Sequence, residues 1–166
     1  MARNRCTSIL RDLHFVNNEA PRVRDKMWKL RPVVDVLQER CHSGWTLPSV
    51  FSFDEGVLPA TSRRNTTRMF MPDKPYRYDT KMFMVCDSRT AYYHRFEVYV
   101  GAREAEGSVS QAVDNNTGAA AVVRNMSIVL VAHSRRIRSV VVDRFYSSVA
   151  LALQLLSMSI YVIEQS

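Results

Sequence analysis

The sequence has few cysteines, and they are not arranged for metal binding or for a disulfide framework. Cys6, Cys41 and Cys86 are the three cysteines of the 166-residue chain. They form no CxxC pair, and the adjacent Cys41 and His42 have no second pair that would complete a zinc site. Three isolated thiols are typical of a protein in a reducing, intracellular compartment.

A long hydrophobic run is also lacking. The most apolar stretch, residues 149–163, is shorter than the roughly 20 residues of a membrane-spanning helix, and Gln154, Ser157 and Ser159 interrupt it. The N-terminal sequence MARNRCTSIL contains no apolar core of a signal peptide. We therefore expect neither a membrane anchor nor a membrane partner.

Acidic residues are in the minority. The chain has 16 Asp and Glu against 23 Lys and Arg, which gives a formal net charge of +7. Such a balance favours a polyanionic partner, chiefly nucleic acid, although a basic surface without a special partner fits the charge equally well. The 46% hydrophobic and 23% charged residues are ordinary for one folded domain.

The hydrophobic spacing changes near residue 48. Residues 1–48 predict a helical N-terminal region, in which Ile9, Leu13 and Val16 recur at helical spacing and Pro32 opens a second helix. We interpret this region as a packing element, with direct DNA contact as the alternative. From residue 49 the pattern predicts three strands, then a helix, a strand, a helix and a strand, in the segments SVFSFDEGVLP, YDTKMFMVCDSR, AYYHRFEVYVG, TGAAAVVRNMSIVLVAH, RSVVVD, SVALALQLLSM and IYVIE.

This order of elements predicts an α/β fold. A three-stranded antiparallel meander that leads into α/β crossovers gives a mixed five-stranded sheet (βββαβαβ) with helices packed on it, which matches a ribonuclease H-like core. Asp54 on the first strand and Asp143 at the end of the fourth would then lie on neighbouring strands and could share a metal. Alternatively, Asp54 is a strand-end carboxylate or turn cap, and Asp143 caps the next helix itself or through Ser147. Glu55 should point to the opposite face from Asp54.

Several motifs make the chain resemble the transposases of piggyBac-type elements. They follow the family's order over nearly the whole chain: LHF, KLRPVVDVLQER, FSFDEG, RMFMPDKPYRY, KMFMVCDS, FEVYVG and DRFYSSVALALQLL. The resemblance implies a DDE transposase, which cleaves and transfers DNA strands, on a ribonuclease H-like fold. It maps two catalytic, metal-binding aspartates onto Asp54 and Asp143. It also implies Mg²⁺ or Mn²⁺ as cofactor, DNA rather than a small molecule as partner, and a nuclear location.

The chain departs from the family pattern where catalysis is concerned. The family has a third catalytic aspartate on a helix beyond the fifth strand, and the sequence ends at Ser166 before such a helix. Arg144 stands where the family usually has asparagine, and Asp79 where it usually has glycine. We therefore expect residues 49–166 to be a partial catalytic core that has no transposase activity alone. The alternatives are a non-catalytic DNA- or protein-binding module domesticated from a transposon, and a remnant without function.

Residues 62–81, SRRNTTRMFMPDKPYRYDTK, form a basic segment with interleaved aromatic residues. Its cationic groups suit phosphate contacts and its aromatic rings can stack on unpaired bases. The candidate DNA-binding residues are Arg63, Arg64, Arg68, Lys74, Arg77 and Lys81. The alternative is a solvated loop whose aromatic side chains fold into the core. The sequence contains no base-reading motif and leaves open whether the chain forms a homodimer.

Overall fold

The computed structural model describes residues 2–17, 19, 25–60, 62–63, 65–72, 74–75, 77–100, 118–130 and 136–165. These ranges contain four helices and six strands. The helices are α1 (Arg3–Asp12), α2 (Arg31–Ser43), α3 (Gly118–Leu130) and α4 (Val149–Ser157). The strands are β1 (Val50–Pro59), β2 (Met69–Phe70), β3 (Tyr78–Asp87), β4 (Tyr93–Val98), β5 (Arg138–Asp143) and β6 (Ile160–Gln165).

The strands form one mixed sheet in the order β2-β3-β1-β5-β6, with β4 also paired to β3. β1 and β4 are antiparallel to β3, whereas β1, β5 and β6 run parallel to one another. The parallel pairing of β5 with β6 requires a crossover connection, and α4 lies between these two strands in the chain. The predicted α/β fold is confirmed. The two-residue strand β2, which pairs with the start of β3, is additional to the five predicted strands.

The hydrophobic core lies on one face of the sheet. Alternate residues of the central strands, Phe51 and Phe53 on β1 and Val140 and Val142 on β5, are almost completely buried there. They pack with residues of α3 and α4: Ala121, Val122, Met126, Val129, Leu151 and Leu155. Burial of each large side chain stabilises the fold by about 1.5–3 kcal/mol. Side chains alternate along a strand, so Asp54 and Asp143, which follow Phe53 and Val142, belong to the other face.

That other face is less completely covered within the described ranges. Val141 on β5 is half-buried, although its flanking valines are buried. A continuously apolar segment such as RSVVVD predicts a strand buried on both faces, and the burial pattern corrects this prediction. The valine run therefore reflects one buried face and one partly exposed face.

The N-terminal helices differ in how they contact the sheet. Helix α2 begins with Pro32 in its first turn, as predicted, and packs against β4, where the Gln38 side chain hydrogen-bonds to the backbone of Phe96. Helix α1 has no buried residue. The division of the chain into a helical region (1–48) and a sheet-containing region (49–166) stays a prediction, and α2 of the first region packs on the sheet of the second. None of the helices in the described ranges has the length and apolar character needed to cross a membrane.

Candidate functional site

The structure brings Asp54 and Asp143 together at one end of the two central strands. The parallel ladder between β1 and β5 ends with Phe53 opposite Val142, and the two aspartates are the next residue on each strand. Both are exposed to solvent. Adjacent strands are about 4.8 Å apart, so the two carboxylates lie within reach of one cation.

Neither aspartate has the structural role that was the alternative for it. The strand β1 continues past Asp54 to Pro59, so Asp54 does not end the strand, and its Oδ1 accepts a hydrogen bond from the Glu55 backbone N–H (2.7 Å). Helix α4 is capped by Ser148, whose side chain accepts a hydrogen bond from the Leu151 N–H (3.1 Å). Asp143 is therefore not the cap of this helix.

Asp143 instead shapes the turn that follows β5. Its Oδ1 accepts a hydrogen bond from the Phe145 N–H (2.8 Å), and its backbone carbonyl accepts one from the Tyr146 N–H (2.9 Å). An aspartate that bonds the backbone two residues ahead forms an Asx turn. The turn restricts the carboxylate of Asp143 to a narrow range of orientations.

The composition of the pair suits a hard divalent cation. Mg²⁺ prefers oxygen ligands and usually binds one or two carboxylates, with waters and substrate phosphates as its other ligands. Two exposed carboxylates on adjacent strands fit this requirement. Among the described residues, no group of three or more His, Cys, Asp or Glu side chains is arranged to bind a metal. The described part of the site therefore provides two carboxylate ligands.

A second charged group lies behind the aspartates, on the core face of the sheet. The Glu55 side chain accepts a hydrogen bond from the Tyr146 hydroxyl (2.8 Å) and forms an ion pair with Lys81. Burial opposes ionisation of Glu55, but the bonds from Lys81 and Tyr146 outweigh it and lower its pKa. Glu55 thus remains ionised on the face opposite Asp54, as the strand alternation predicts.

The carboxylates of this end of the sheet affect the pKa of neighbouring groups. Burial, together with the hydrogen bond to Glu55, raises the pKa of the Tyr146 phenol, and the charges of Asp54 and Asp143 raise it further. The phenol is therefore protonated and able to donate at neutral pH. Burial, with a smaller contribution from Asp54, also raises the pKa of the Cys86 thiol to about 11.

Sequence reasoning did not find the group formed by Glu55, Lys81 and Tyr146. Its members come from β1, β3 and the turn after β5, and the hydrogen bond from Tyr146 to Glu55 joins residues 91 positions apart. Two signals were present in the sequence. Glu55 follows a candidate ligand on a predicted strand, and Tyr146 is the second aromatic residue after Asp143.

Part of the basic segment is a hairpin in the structure. The strands β2 and β3 pair antiparallel, and the Met71 N–H donates to the Arg77 carbonyl (2.8 Å) across the turn between them. The end of β1 also pairs with the start of β3, down to Pro59 opposite Asp79. The basic hairpin, described at residues 69–72, 74–75 and 77–79, therefore lies at the sheet end toward which β1 and β5 point, the same end as Asp54 and Asp143.

The candidate DNA-binding residues differ in their surroundings. Arg63, Lys74 and Arg77 are exposed, and Arg68 is half-buried with its guanidinium carbon 4.5 Å from the centre of the Tyr78 ring. Lys81 is paired with Glu55 on the core face. Arg64 lies outside the described residues. Three of the six predicted residues are thus exposed and two are half-buried.

Aromatic side chains of the hairpin are exposed rather than folded into the core. Phe70 is 55% and Tyr78 is 45% exposed, and their ring centres are 5.4 Å apart. Arg68 lies over the Tyr78 ring, an arrangement that keeps a cation beside an aromatic surface. For these two residues, the alternative of aromatic side chains buried in the core is excluded.

Comparisons with known proteins place this geometry in a family. The family model described as transposase IS4 matches residues 1–163. The chain is 30% identical over 158 residues to human PiggyBac transposable element-derived protein 3. The aligned residues make up 95% of this chain and 26% of that protein. It is also 30% identical to the human chimeric ERCC6-PGBD3 protein, of which it covers 14%.

A solved structure shares the fold. The cryo-EM structure of a piggyBac transposase synaptic complex with hairpin DNA superposes with a TM-score of 0.81 at 24% identity, over 99% of this chain and 33% of that one. The likeness supports the ribonuclease H-like arrangement of the sheet. The chain spans about a quarter of the length of the first relative. The chain belongs to the transposase IS4 family and is of the piggyBac type.

Proposed function

We propose that this chain binds a divalent metal ion between Asp54 and Asp143 and binds DNA through the basic hairpin. The observation that supports it most is the register of β1 and β5, which makes the two aspartates consecutive with the last paired residues of a parallel ladder. Two like charges on adjacent strands repel one another, and a bound cation relieves this repulsion.

The protein's contribution to such a site is positional. When bound, Mg²⁺ or Mn²⁺ supplies Lewis-acid stabilisation of the attacking and leaving oxygens during DNA strand cleavage and transfer. Strand β1, paired on both sides, fixes the backbone of Asp54, and the Asx turn restricts Asp143. Rigid strand ends keep both carboxylates in place before the ligand arrives.

We further propose that this chain alone does not catalyse strand transfer. The described residues provide two carboxylates, and no third acidic, histidine or cysteine side chain completes a metal-binding group with them. Two ligands bind a metal weakly and leave its geometry to water and substrate. The second candidate function, a non-catalytic DNA-binding module, is favoured by the exposed Phe70 and Tyr78 and the half-buried Arg68, which can contact DNA without any metal.

Titration of Mn²⁺ into the chain by calorimetry tests the metal site. We expect Mn²⁺ to bind the parent saturably. Asp54→Asn or Asp143→Asn should weaken Mn²⁺ binding at least about tenfold, because removal of a residue that merely hydrogen-bonds to a ligand can already cost that much. Asp12→Asn is the matched control, since Asp12 is exposed at the end of α1. Equal binding by the parent and both site variants would contradict the metal site and favour the binding module.

The two candidate functions also predict different DNA binding. A metal-dependent core should bind DNA more tightly when Mn²⁺ is present, whereas a binding module should be indifferent to the metal. The proposed nuclear location follows from the DNA partner.

A further inference from the structure

The group formed by Glu55, Lys81 and Tyr146 joins the three elements that surround the two aspartates. Glu55 follows Asp54 on β1, Lys81 belongs to β3, and Tyr146 belongs to the turn that Asp143 begins. The Glu55 Oε2 atom accepts the Tyr146 hydroxyl bond at 2.8 Å, and the same atom forms the ion pair with Lys81. One carboxylate therefore links β1, β3 and the end of β5.

Tyr146 is itself fixed by its surroundings. It is 3% exposed, and its ring meets the Phe53 ring edge to face with centres 5.3 Å apart. The first residue of α3, Gly118, is so close that a Cβ there would lie 2.5 Å from atoms of the Tyr146 ring. A ring confined between β1 and α3 can aim its hydroxyl in few directions, so the bond to Glu55 restrains the turn that holds Asp143.

Lys81 is held against the same cluster. Its side chain is 22% exposed, and its ammonium nitrogen is 5.2 Å from the centre of the Phe83 ring. The Phe83 ring in turn stacks on Phe53 with centres 6.0 Å apart. The polar group therefore rests on an aromatic layer of the core, and the carboxylate of Glu55 is balanced by a cation on one side and a phenol on the other.

From this geometry we propose that Tyr146 is a positioning residue for the metal site: through Glu55 and Lys81, its hydroxyl sets the separation of Asp54 on β1 and Asp143 at the end of β5. This inference rests on the proposed metal function. Tyr146 does not contact the metal in this account, because its hydroxyl is engaged on the core face and the aspartates lie on the other. Its effect is transmitted through the turn from Asp143 and through the backbone between Glu55 and Asp54.

The test is the Mn²⁺ affinity of Tyr146→Phe, measured by calorimetry on the full chain with the metal alone. Loss of the hydroxyl should weaken Mn²⁺ binding about tenfold. This is the smallest loss typical of residues that hydrogen-bond to a metal ligand, and we expect it because Tyr146 bonds to Glu55 and not to a ligand. Tyr99→Phe is the matched control: Tyr99 also packs on the aromatic layer, with its ring centre 6.0 Å from that of Phe83. This control should keep the parent affinity.

A pair-wise measurement separates positioning from general loss of stability. If Tyr146 acts through Glu55, then Tyr146→Phe should weaken Mn²⁺ binding much less in a Glu55→Ala background than in the parent. Independent, additive effects of the two substitutions would overturn the proposal. A Tyr146→Phe variant that melts earlier yet keeps the parent Mn²⁺ affinity would also overturn it.

The outcomes distinguish this proposal from the one on which it depends. If Asp143→Asn removes Mn²⁺ binding while Tyr146→Phe and Glu55→Gln both bind as the parent does, the metal site stands and the positioning role is wrong. If the parent binds no Mn²⁺, both proposals are wrong. Should Tyr146→Phe fail to unfold cooperatively, the Mn²⁺ affinity of Glu55→Gln is the test instead, because this substitution removes the ion pair with Lys81. An unchanged Mn²⁺ affinity in Glu55→Gln would contradict the positioning role of Glu55, Lys81 and Tyr146.

Discussion

At the scale of single residues, one buried amide connects α3 to the sheet. Asn125 is fully buried, and its side chain donates to the Glu97 carboxylate and accepts from the Arg95 Nε, each at 2.8 Å. Arg124 also makes two hydrogen bonds to Glu97, at 2.6 and 3.1 Å. Burial lowers the pKa of Arg95 despite the nearby Glu97 charge, so this guanidinium depends on its partners. Polar groups of this kind stabilise only when each has a partner.

We predict that Asn125→Leu destabilises the fold by about 2–3 kcal/mol, because it removes the acceptor of the partly buried Arg95 Nε and one of the hydrogen bonds to the Glu97 carboxylate. Denaturant unfolding of the purified chain measures this. Ser127→Ala on the same helix is the control, since the Ser127 hydroxyl donates to the Arg124 carbonyl of its own helix. The cost of this substitution should stay below about 0.5 kcal/mol. An Asn125→Leu variant as stable as the parent would contradict a structural role for the amide.

At the scale of elements, the basic hairpin extends the sheet beyond the aspartates. Its turn is closed by backbone bonds and its exposed side chains are aromatic and cationic. Such a combination suits a nucleic-acid backbone with bases that can stack. Arg68 lies over Tyr78, and the charge of Lys74 contributes to the low pKa of Glu55, so the hairpin and the group behind the aspartates share one electrostatic region.

If the hairpin and the basic residues before it contact phosphates, charge reversal of Arg63, Arg68 and Arg77 should flatten the salt dependence of duplex binding. Each lost phosphate contact should reduce the slope of log K against log salt by about 0.9. Reversal of Arg3, Arg5 and Arg11 on α1 changes the net charge equally and is the control. A slope that falls only in the α1 variant would move the DNA contact from the hairpin to α1.

At the scale of the whole molecule, the sequence predicted what depends on local pattern. Hydrophobic pattern predicted strands over SVFSFDEGVLP and RSVVVD, and the order of elements predicted that Asp54 and Asp143 lie on neighbouring strands. The full length of β1, to Pro59, was also predicted, but its register against β3, down to Asp79, depends on tertiary pairing. The bond from Tyr146 to Glu55 depends on tertiary contact alone, as does β2, which is too short to have a period.

Burial of polar side chains likewise depends on tertiary contacts and not on local pattern. His94 is fully buried, and neither of its ring nitrogens has a hydrogen-bond partner among the described residues. Burial lowers its pKa, which favours the neutral ring, and Phe51 and Tyr92 pack edge-on against it. In the sequence this residue alternates with strand neighbours like any exposed polar residue, so its burial was visible only in the fold.

Thermal unfolding with and without Mn²⁺ tests the central claim, that Asp54 and Asp143 form one metal site. At a metal concentration of about 100 times Kd, one site adds about 2.7 kcal/mol, which should raise the Tm of the parent by about 5–10 °C. The shift should be largely lost in Asp54→Asn and in Asp143→Asn, and the double variant should lose no more than either single one. Without metal, the single variants should melt no lower than the parent, since each removes a like-charge repulsion. A parent Tm that Mn²⁺ leaves unchanged, or equal shifts in the parent and the double variant, would contradict the account.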